Sequence, residues 1–232
     1  MSRVNMRQVV VGGMLCLALV GCAEKKADPV PLPRSTVSGV DPAVDKAAVR
    51  QAFTTYQKAL LAKDGKTAAS MLTADTIAYY AALKKLALTA KEPYLRRARV
   101  SDQVAVLSLR ASVSADDIRR WSATELAADG VRRGELNTSA IGRMTVADVN
   151  LSVDTASVTV RMDGQTNPFA LTFWREGGRW KFRMIPLLEA IETATRAQVK
   201  KLHLTDRQYV DQTMATRVTS PDELAALWVP AG

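Results

Sequence analysis

The sequence predicts an α+β fold in which helices pack on one face of an antiparallel sheet of about four strands. Apolar residues first recur at spacings of three and four, which is the period of a helix, and from about residue 149 they recur at every second position, as in a strand. The alternating segments are joined by short turns, which connect antiparallel rather than parallel strands. Hydrophobic residues make up 47% of the 232 residues, enough for a buried core without disulfide bonds.

The first helix is predicted to begin at Asp41 and Pro42, because aspartate is a favourable N-cap and proline a favourable first helical residue. Residues 63–65 are predicted to end it, and shorter helices are predicted over 67–72 and 75–88. One apolar face of the first helix is formed by Val49, Phe53, Tyr56 and Leu60.

The region 88–138 is predicted to be a mainly helical insertion. One of its helices is expected to begin at Ser114, followed by Asp116 and Asp117 in the first turn, where the helix dipole favours acids. We expect this helix to run past Leu126 until Gly130 and Gly134 break it. Another helical face is formed by Val100, Val104 and Leu107.

Four strands are predicted in sequence, with one buried face. They cover residues 149–153, 156–162, 169–173 and 180–184, with turns at 154–155, 163–164 and 177–178. The alternation places Trp174 on the face opposite to Phe173. A C-terminal helical extension, 186–232, is predicted to contain a helix over 186–202 and further helices that begin at Thr205 and Ser220.

The first 21 residues have the layout of a secretion signal. Arg3 and Arg7 precede an apolar run of about a dozen residues, which is shorter than the roughly 20 residues that a membrane-spanning helix needs. The end of this run, residues 19–22, reads Leu-Val-Gly-Cys and resembles the lipobox of bacterial lipoproteins. The resemblance implies cleavage between Gly21 and Cys22, a diacylglycerol on the Cys22 thiol and acylation of the new amine. The alternatives are an ordinary signal peptide with an incidental cysteine, or an uncleaved anchor.

Lipidation would place the chain in the bacterial envelope, bound to a membrane through lipid on Cys22. Ala23 follows the cysteine where aspartate favours inner-membrane retention in enteric bacteria, so we expect the outer membrane, facing the periplasm. Residues 22–40 are rich in Pro and Ser and lack an apolar period, which predicts an extended tether.

The net charge of +9 is spread along the chain, and two of these charges belong to the leader. Nucleic-acid binding needs clustered cations, so the sequence predicts no nucleic-acid partner. The arginine pairs at 96–97, 119–120 and 132–133 could attract anionic lipid or lipopolysaccharide, although we favour solvated helix faces.

The order of elements over residues 43–185 resembles the nuclear transport factor two-like superfamily, which includes ketosteroid isomerase. The likeness is carried by the helix 44–63, the short helix around 68–71 and the hairpin 174–182, whose Gly-Gly turn precedes an aromatic-Lys-aromatic strand. It implies a cone-shaped domain with a curved sheet. The sequence departs from this pattern in the insertion 88–138 and in the extension after the sheet.

No hydrolase, phosphate-loop or metal-binding motif is found, and we predict neither a cofactor nor a metal. The single histidine, His203, follows a predicted helix, where it complements the helix dipole. Enzymes of the resembled superfamily use Asp, Tyr or His at the mouth of the cone. The candidates for such a pocket are Tyr56, Tyr80, Asp75 and Trp174.

Each candidate has a structural alternative. Tyr56 lies on an apolar helix face and favours core packing, and Asp75 favours a helix cap. Tyr79 and Tyr80 are adjacent, so we expect one of them at the surface. Trp174 could line a ligand surface or be covered by the terminal helices.

The sequence therefore predicts a membrane-anchored envelope lipoprotein, with a non-catalytic module that binds an envelope protein or a small apolar ligand. One alternative is a small-molecule enzyme of isomerase or dehydratase type that uses a cone pocket. The other is a structural or assembly lipoprotein whose extra helices provide docking faces.

Overall fold

The computed structural model describes residues 41–134 and 138–231, which form helices on a four-stranded antiparallel sheet. The helices before the sheet in the described residues are α1 Pro42–Leu61, α2 Gly65–Ser70, α3 Ala74–Thr89, α4 Glu92–Leu95, α5 Val100–Ser112, α6 Ala115–Arg120, α7 Ala123–Arg132 and α8 Thr138–Gly142. The strands are β1 Met144–Ser152, β2 Thr155–Met162, β3 Gln165–Glu176 and β4 Arg179–Arg183, and the helices α9 Ile185–Lys201, α10 Asp206–Met214 and α11 Pro221–Ala226 follow. The predicted α+β class is confirmed.

The strands form a meander in the order β1-β2-β3-β4, each antiparallel to the next. Gly177 and Gly178 both have positive φ angles, of 57° and 73°, in the tight turn between β3 and β4. The register is irregular between Val146 and Asp148 of β1 and between Thr159 and Arg161 of β2. Such bulges bend a strand and increase its twist.

The inner face of the sheet packs against α1, α2 and α7 in a cluster that we call the sheet core. Its apolar side chains alternate along the strands as the sequence predicts. Its buried members are Val49, Ala52, Phe53, Ala69, Leu72, Ala127, Ala128, Val149, Ala156, Val158, Val160, Phe173, Trp180 and Phe182. An ion pair of 2.5 Å between Arg175 of β3 and the buried Asp45 of α1 also joins the first helix to the sheet.

A second cluster, the helical core, surrounds α5. This helix has eight buried residues, distributed around its circumference: Val100, Gln103, Val104, Ala105, Val106, Leu107, Ser108 and Leu109. The helices α3 and α4, which precede α5 in the sequence, pack around it. So do α9, α10 and Trp228, which come much later in the sequence. The predicted insertion and the predicted C-terminal extension therefore pack together rather than as separate additions.

Two helices lie between the cores. The α3 residue Tyr80 packs against both clusters. In α7, Leu126 belongs to the helical core, whereas Ala127 and Ala128 belong to the sheet core.

One predicted helix was wrong in its extent. The helix that begins at Ser114 ends at Arg120, and a second helix starts at Ser122, whose side chain forms a capping box with Glu125. Gly130 does not break this second helix but lies inside it, because the packing of α7 against both cores outweighs the modest propensity cost of one glycine.

Candidate functional site

The residues nominated from the sequence fall in three places. Gly21 and Cys22 lie outside the described residues. Tyr56 packs against the sheet core and Tyr80 packs against both cores, each of them partly buried, and Asp75 and Trp174 lie at one end of the sheet surface.

The Tyr56 ring is part of an aromatic stack that fills the space between α1 and the sheet. Its centroid lies 5.0 Å from that of Phe182, which in turn lies 5.6 Å from that of Phe173. Burial, with a smaller contribution from Tyr80, raises the pKa of the Tyr56 phenol far above its ordinary value. Tyr56 therefore serves as a packing residue.

The expectation that Tyr79 or Tyr80 lies at the surface was wrong, since both pack against the helical core. Their rings meet edge to face with centroids 5.9 Å apart, and the Tyr79 hydroxyl donates to Asp102 Oδ1 at 2.9 Å. Adjacent residues of α3 can both be partly buried because this helix has a core on each side.

Asp75 and Trp174 are brought together by Arg183, which the sequence analysis did not nominate. Arg183 Nε donates to Asp75 Oδ2 at 2.6 Å, and the guanidinium carbon lies 4.0 Å from the centroid of the Trp174 ring. The Thr73 hydroxyl donates to Asp75 Oδ1 at 2.5 Å. We call Thr73, Asp75, Trp174 and Arg183 the Arg183 cluster.

Asp75 is held as a carboxylate in this cluster. Partial burial acts to raise its pKa, but the hydrogen bonds from Thr73 and Arg183 outweigh burial and leave the pKa below its usual range. The sequence suggested that Asp75 caps a helix, but the N-cap of α3 is Thr73. A carboxylate paired in this way is a weak general base.

The first turn of α3 beside the cluster is also satisfied from the sheet. The Glu176 carboxylate accepts from the Ala74 backbone amide at 3.2 and 3.1 Å, and Lys181 Nζ lies 3.7 Å from the same carboxylate. The end of the helix therefore meets a fixed carboxylate, which complements its dipole.

The strand register extends the Arg183 cluster into a partly exposed polar surface on the outer face of the sheet. Trp174 lies between Thr155 and Lys181, and Thr172 lies between Ser157 and Arg183. Each of these side chains is partly exposed. The period-two alternation of β4, together with its tight turn, places Lys181 and Arg183 beside Trp174, so the sequence contained the signal that would have found them.

A separate hollow of about 300 Å³ lies beside the C-terminus. It is lined by Lys91, Glu92, Ala225, Trp228, Val229 and Pro230. The Trp228 indole donates to Asp211 Oδ1 at 3.0 Å, and the Arg207 guanidinium carbon lies 4.1 Å from its ring centroid. The volume of this hollow is at the lower limit for ligand pockets.

His203 lies exposed after α9 with a φ of 53°, in agreement with a residue that ends a helix. Within residues 41–134 and 138–231, no group of three or more His, Cys, Asp or Glu side chains is arranged to hold a metal ion. In the same two segments, no helix has both the length and the apolar character needed to cross a bilayer.

Comparison of the chain with known protein families, with curated proteins and with solved structures gives no match.

Proposed function

We propose that this chain is a lipid-anchored protein of the bacterial envelope whose folded part binds another envelope protein without catalysing a reaction. Cys22 carries the lipid, and the domain faces the periplasm from the outer membrane. The observation that carries the binding role is the partly exposed Trp174–Arg183 stack on the outer face of the sheet. Tryptophan and arginine are the residue types enriched at energetic hot spots of protein interfaces.

The packing between α1 and the sheet supports binding at the surface of the domain rather than catalysis in an internal pocket. The rings of Tyr56, Phe182 and Phe173 pack in contact between α1 and the sheet, which supports a filled interior rather than a substrate pocket. Tyr56 is a partly buried phenol whose pKa is raised, and Asp75 is paired with Arg183. These residues do not provide an accessible acid and base.

We further propose that the sheet and α1 form the cone-like arrangement of the nuclear transport factor two-like superfamily. The bulges in β1 and β2 support a curved sheet, and the packing of α1 on the inner face supports a closed side of the cone.

The anchor is tested by two cysteine variants in a bacterial host. Cys22→Ser is expected to leave an uncleaved chain without lipid, whereas the matched variant Cys16→Ser, inside the apolar run, is expected to be processed normally. Intact mass of the purified chain and separation of the two membranes by density measure the outcome. An unmodified Cys22 thiol in the wild-type chain would contradict the proposal, and recovery in the inner membrane would correct the location.

The binding surface is tested by a photo-crosslinking residue at Thr172, with the exposed Ala47 of α1 as the matched position. We expect one discrete adduct from Thr172 and none from Ala47. Trp174→Ala is expected to weaken that complex about thirtyfold, because truncation of a hot-spot tryptophan costs about 2 kcal/mol or more. An adduct that persists unchanged in Trp174→Ala, at an unchanged melting temperature, would exclude this surface.

A further inference from the structure

The short helix α4 presents an exposed basic and aromatic surface. Between Pro93 and Arg97 only Leu95 is buried, and it is fully so. At 100° per residue, the other four side chains lie on the half of the turn opposite to Leu95. Arg97 continues the turn, since its amide donates to the Tyr94 carbonyl at 3.1 Å. We call Pro93, Tyr94, Arg96 and Arg97 the α4 arc.

The cations of the α4 arc have no ion-pair partner among residues 41–134 and 138–231. Glu92, the acid of this turn, is paired with Arg207. Arg96, Arg97 and the neighbouring Lys91 are exposed, and none of them has an ion pair to another described residue. The arc therefore presents two guanidinium groups and a phenol on a turn that Leu95 fixes to the helical core.

Exposed apolar surface adjoins these cations. Val229 lines the same hollow as Lys91 and is 62% exposed, and Tyr94 is 63% exposed. Tyrosine with arginine and lysine is typical of proteins at a membrane interface, where rings sit at headgroup level and cations meet lipid phosphates.

We propose that the α4 arc, together with Lys91 and Val229, rests on the anionic lipid surface of the membrane in which Cys22 is anchored. This inference rests on the proposed lipid anchor. The 18 residues between Cys22 and Asp41 span at most about 65 Å, so an anchored domain stays within reach of the leaflet. Tethering raises the effective concentration of the surface, and a few cations and one ring then suffice for contact.

The contact orients the domain. With α4 on the leaflet, the domain has one fixed face towards the membrane instead of rotating freely on its tether. The Arg183 cluster belongs to a different part of the molecule, at the sheet, so membrane contact and partner binding use different surfaces.

The experiment uses the lipidated full-length protein in vesicles, with and without phosphatidylglycerol. The sequence has no cysteine after Cys22, so Tyr94→Cys provides a single site for an environment-sensitive fluorophore. Val153→Cys, in the turn between β1 and β2 and 44% exposed, is the matched position. We expect quenching by brominated lipid at position 94 only, in anionic vesicles only, and lost at high salt.

The dependence of the vesicle contact on charge is measured with the double variant Arg96→Gln/Arg97→Gln. The control is Arg161→Gln/Arg179→Gln, which changes two exposed arginines of the sheet. The first double variant is expected to weaken surface contact about thirtyfold and the second to leave it unchanged. Equal effects of the two double variants would overturn the inference.

Three outcomes separate the two proposals. A chain that floats with vesicles while its position 94 stays in water overturns the membrane contact and leaves the anchor intact. A chain that does not float overturns both. Shielding of position 94 in native envelope membranes, but not on pure lipid, would overturn the lipid assignment in favour of an acidic protein.

Discussion

Aromatic rings in contact complete the packing of the sheet core, whereas in the helical core charged side chains form hydrogen bonds with backbone groups. In the sheet core Tyr56, Phe173 and Phe182 stack in a row. In the helical core Arg110 of α5 donates to four backbone carbonyls, those of Leu86, Ala87, Ala90 and Leu227, at 2.7–3.0 Å.

The difference follows from the kind of element that each core contains. Antiparallel strands satisfy their backbone groups from neighbouring strands, so apolar side chains can complete the core. Each helix instead leaves amides and carbonyls unsatisfied at its ends. Many short helices meet around α5, and charged side chains such as Arg110, Glu192 and Lys84 satisfy those ends.

The largest loss of stability is expected from a substitution at the place where the two cores are joined. A Cβ atom at Gly65 of α2 would lie 2.0 Å from the backbone oxygen of Ala128 in α7, so Gly65→Ala must separate the two helices. We expect a loss of about 3 kcal/mol in the free energy of unfolding, because the backbone of α7 cannot move aside as a flexible side chain can. Denaturant unfolding measures the loss.

Gly142→Ala is the matched control, since its Cβ atom would meet only Leu61 at 3.4 Å. Its stability is expected to stay within about 1 kcal/mol of the wild type. Equal stability of the two variants would show that the cores are not joined through α2 and α7.

A smaller effect, confined to the helical core, is expected for Arg110→Met. The substitution keeps the stem of the side chain but leaves carbonyls at the ends of α3 and α11 without their donor, at a cost of about 2 kcal/mol. Burial lowers the pKa of Arg110 to about 10, so the wild-type guanidinium is charged at neutral pH.

Hydrogen exchange distinguishes the cores in this variant. Protection is expected to fall in α5 and to remain in β2, whereas Arg50→Met on the exposed face of α1 is expected to change neither. An equal fall in α5 and β2 would mean that the two cores open as one unit.

The smallest effect is expected from the cap of α5. The Glu192 carboxylate of α9 accepts from the Val100 and Ser101 amides at 3.2 and 2.9 Å and from the Ser101 hydroxyl at 2.8 Å. Burial opposes its ionisation, but these bonds and Arg196 outweigh burial and lower its pKa. Because the folded-state pKa is depressed, the stabilisation is present above the ordinary glutamate pKa of about 4.3 and is lost as the pH falls below it.

Glu192→Gln is expected to cost about 1 kcal/mol at neutral pH and to reduce the fall in stability on acidification. Glu189→Gln, on an outer position of the same helix, is the control. A variant whose stability falls with pH as steeply as that of the wild type would show that Glu192 does not set this dependence.

The aromatic candidates show how far a single sequence reaches. Tyr56 was placed correctly on a buried face because its spacing from Phe53 and Leu60 is a helical period. Tyr79 and Tyr80 were misjudged because the pattern of α3 does not reveal that a second core lies on its other side. The pairing of Arg183 with Asp75 was missed because Asp75 lies 108 positions earlier, whereas the place of Arg183 near Trp174 follows from the alternation of β4.

The sequence by itself determined the helix caps at Asp41, Ser114 and Thr205 and the four alternating strands, since each depends on residues a few positions apart. Only the tertiary structure decided that α3 and α4 pack around α5 together with α9, α10 and Trp228, and that Arg183 joins Asp75 to Trp174. These contacts bring distant segments together, and their formation depends on the packing of whole faces, which local periodicity does not specify.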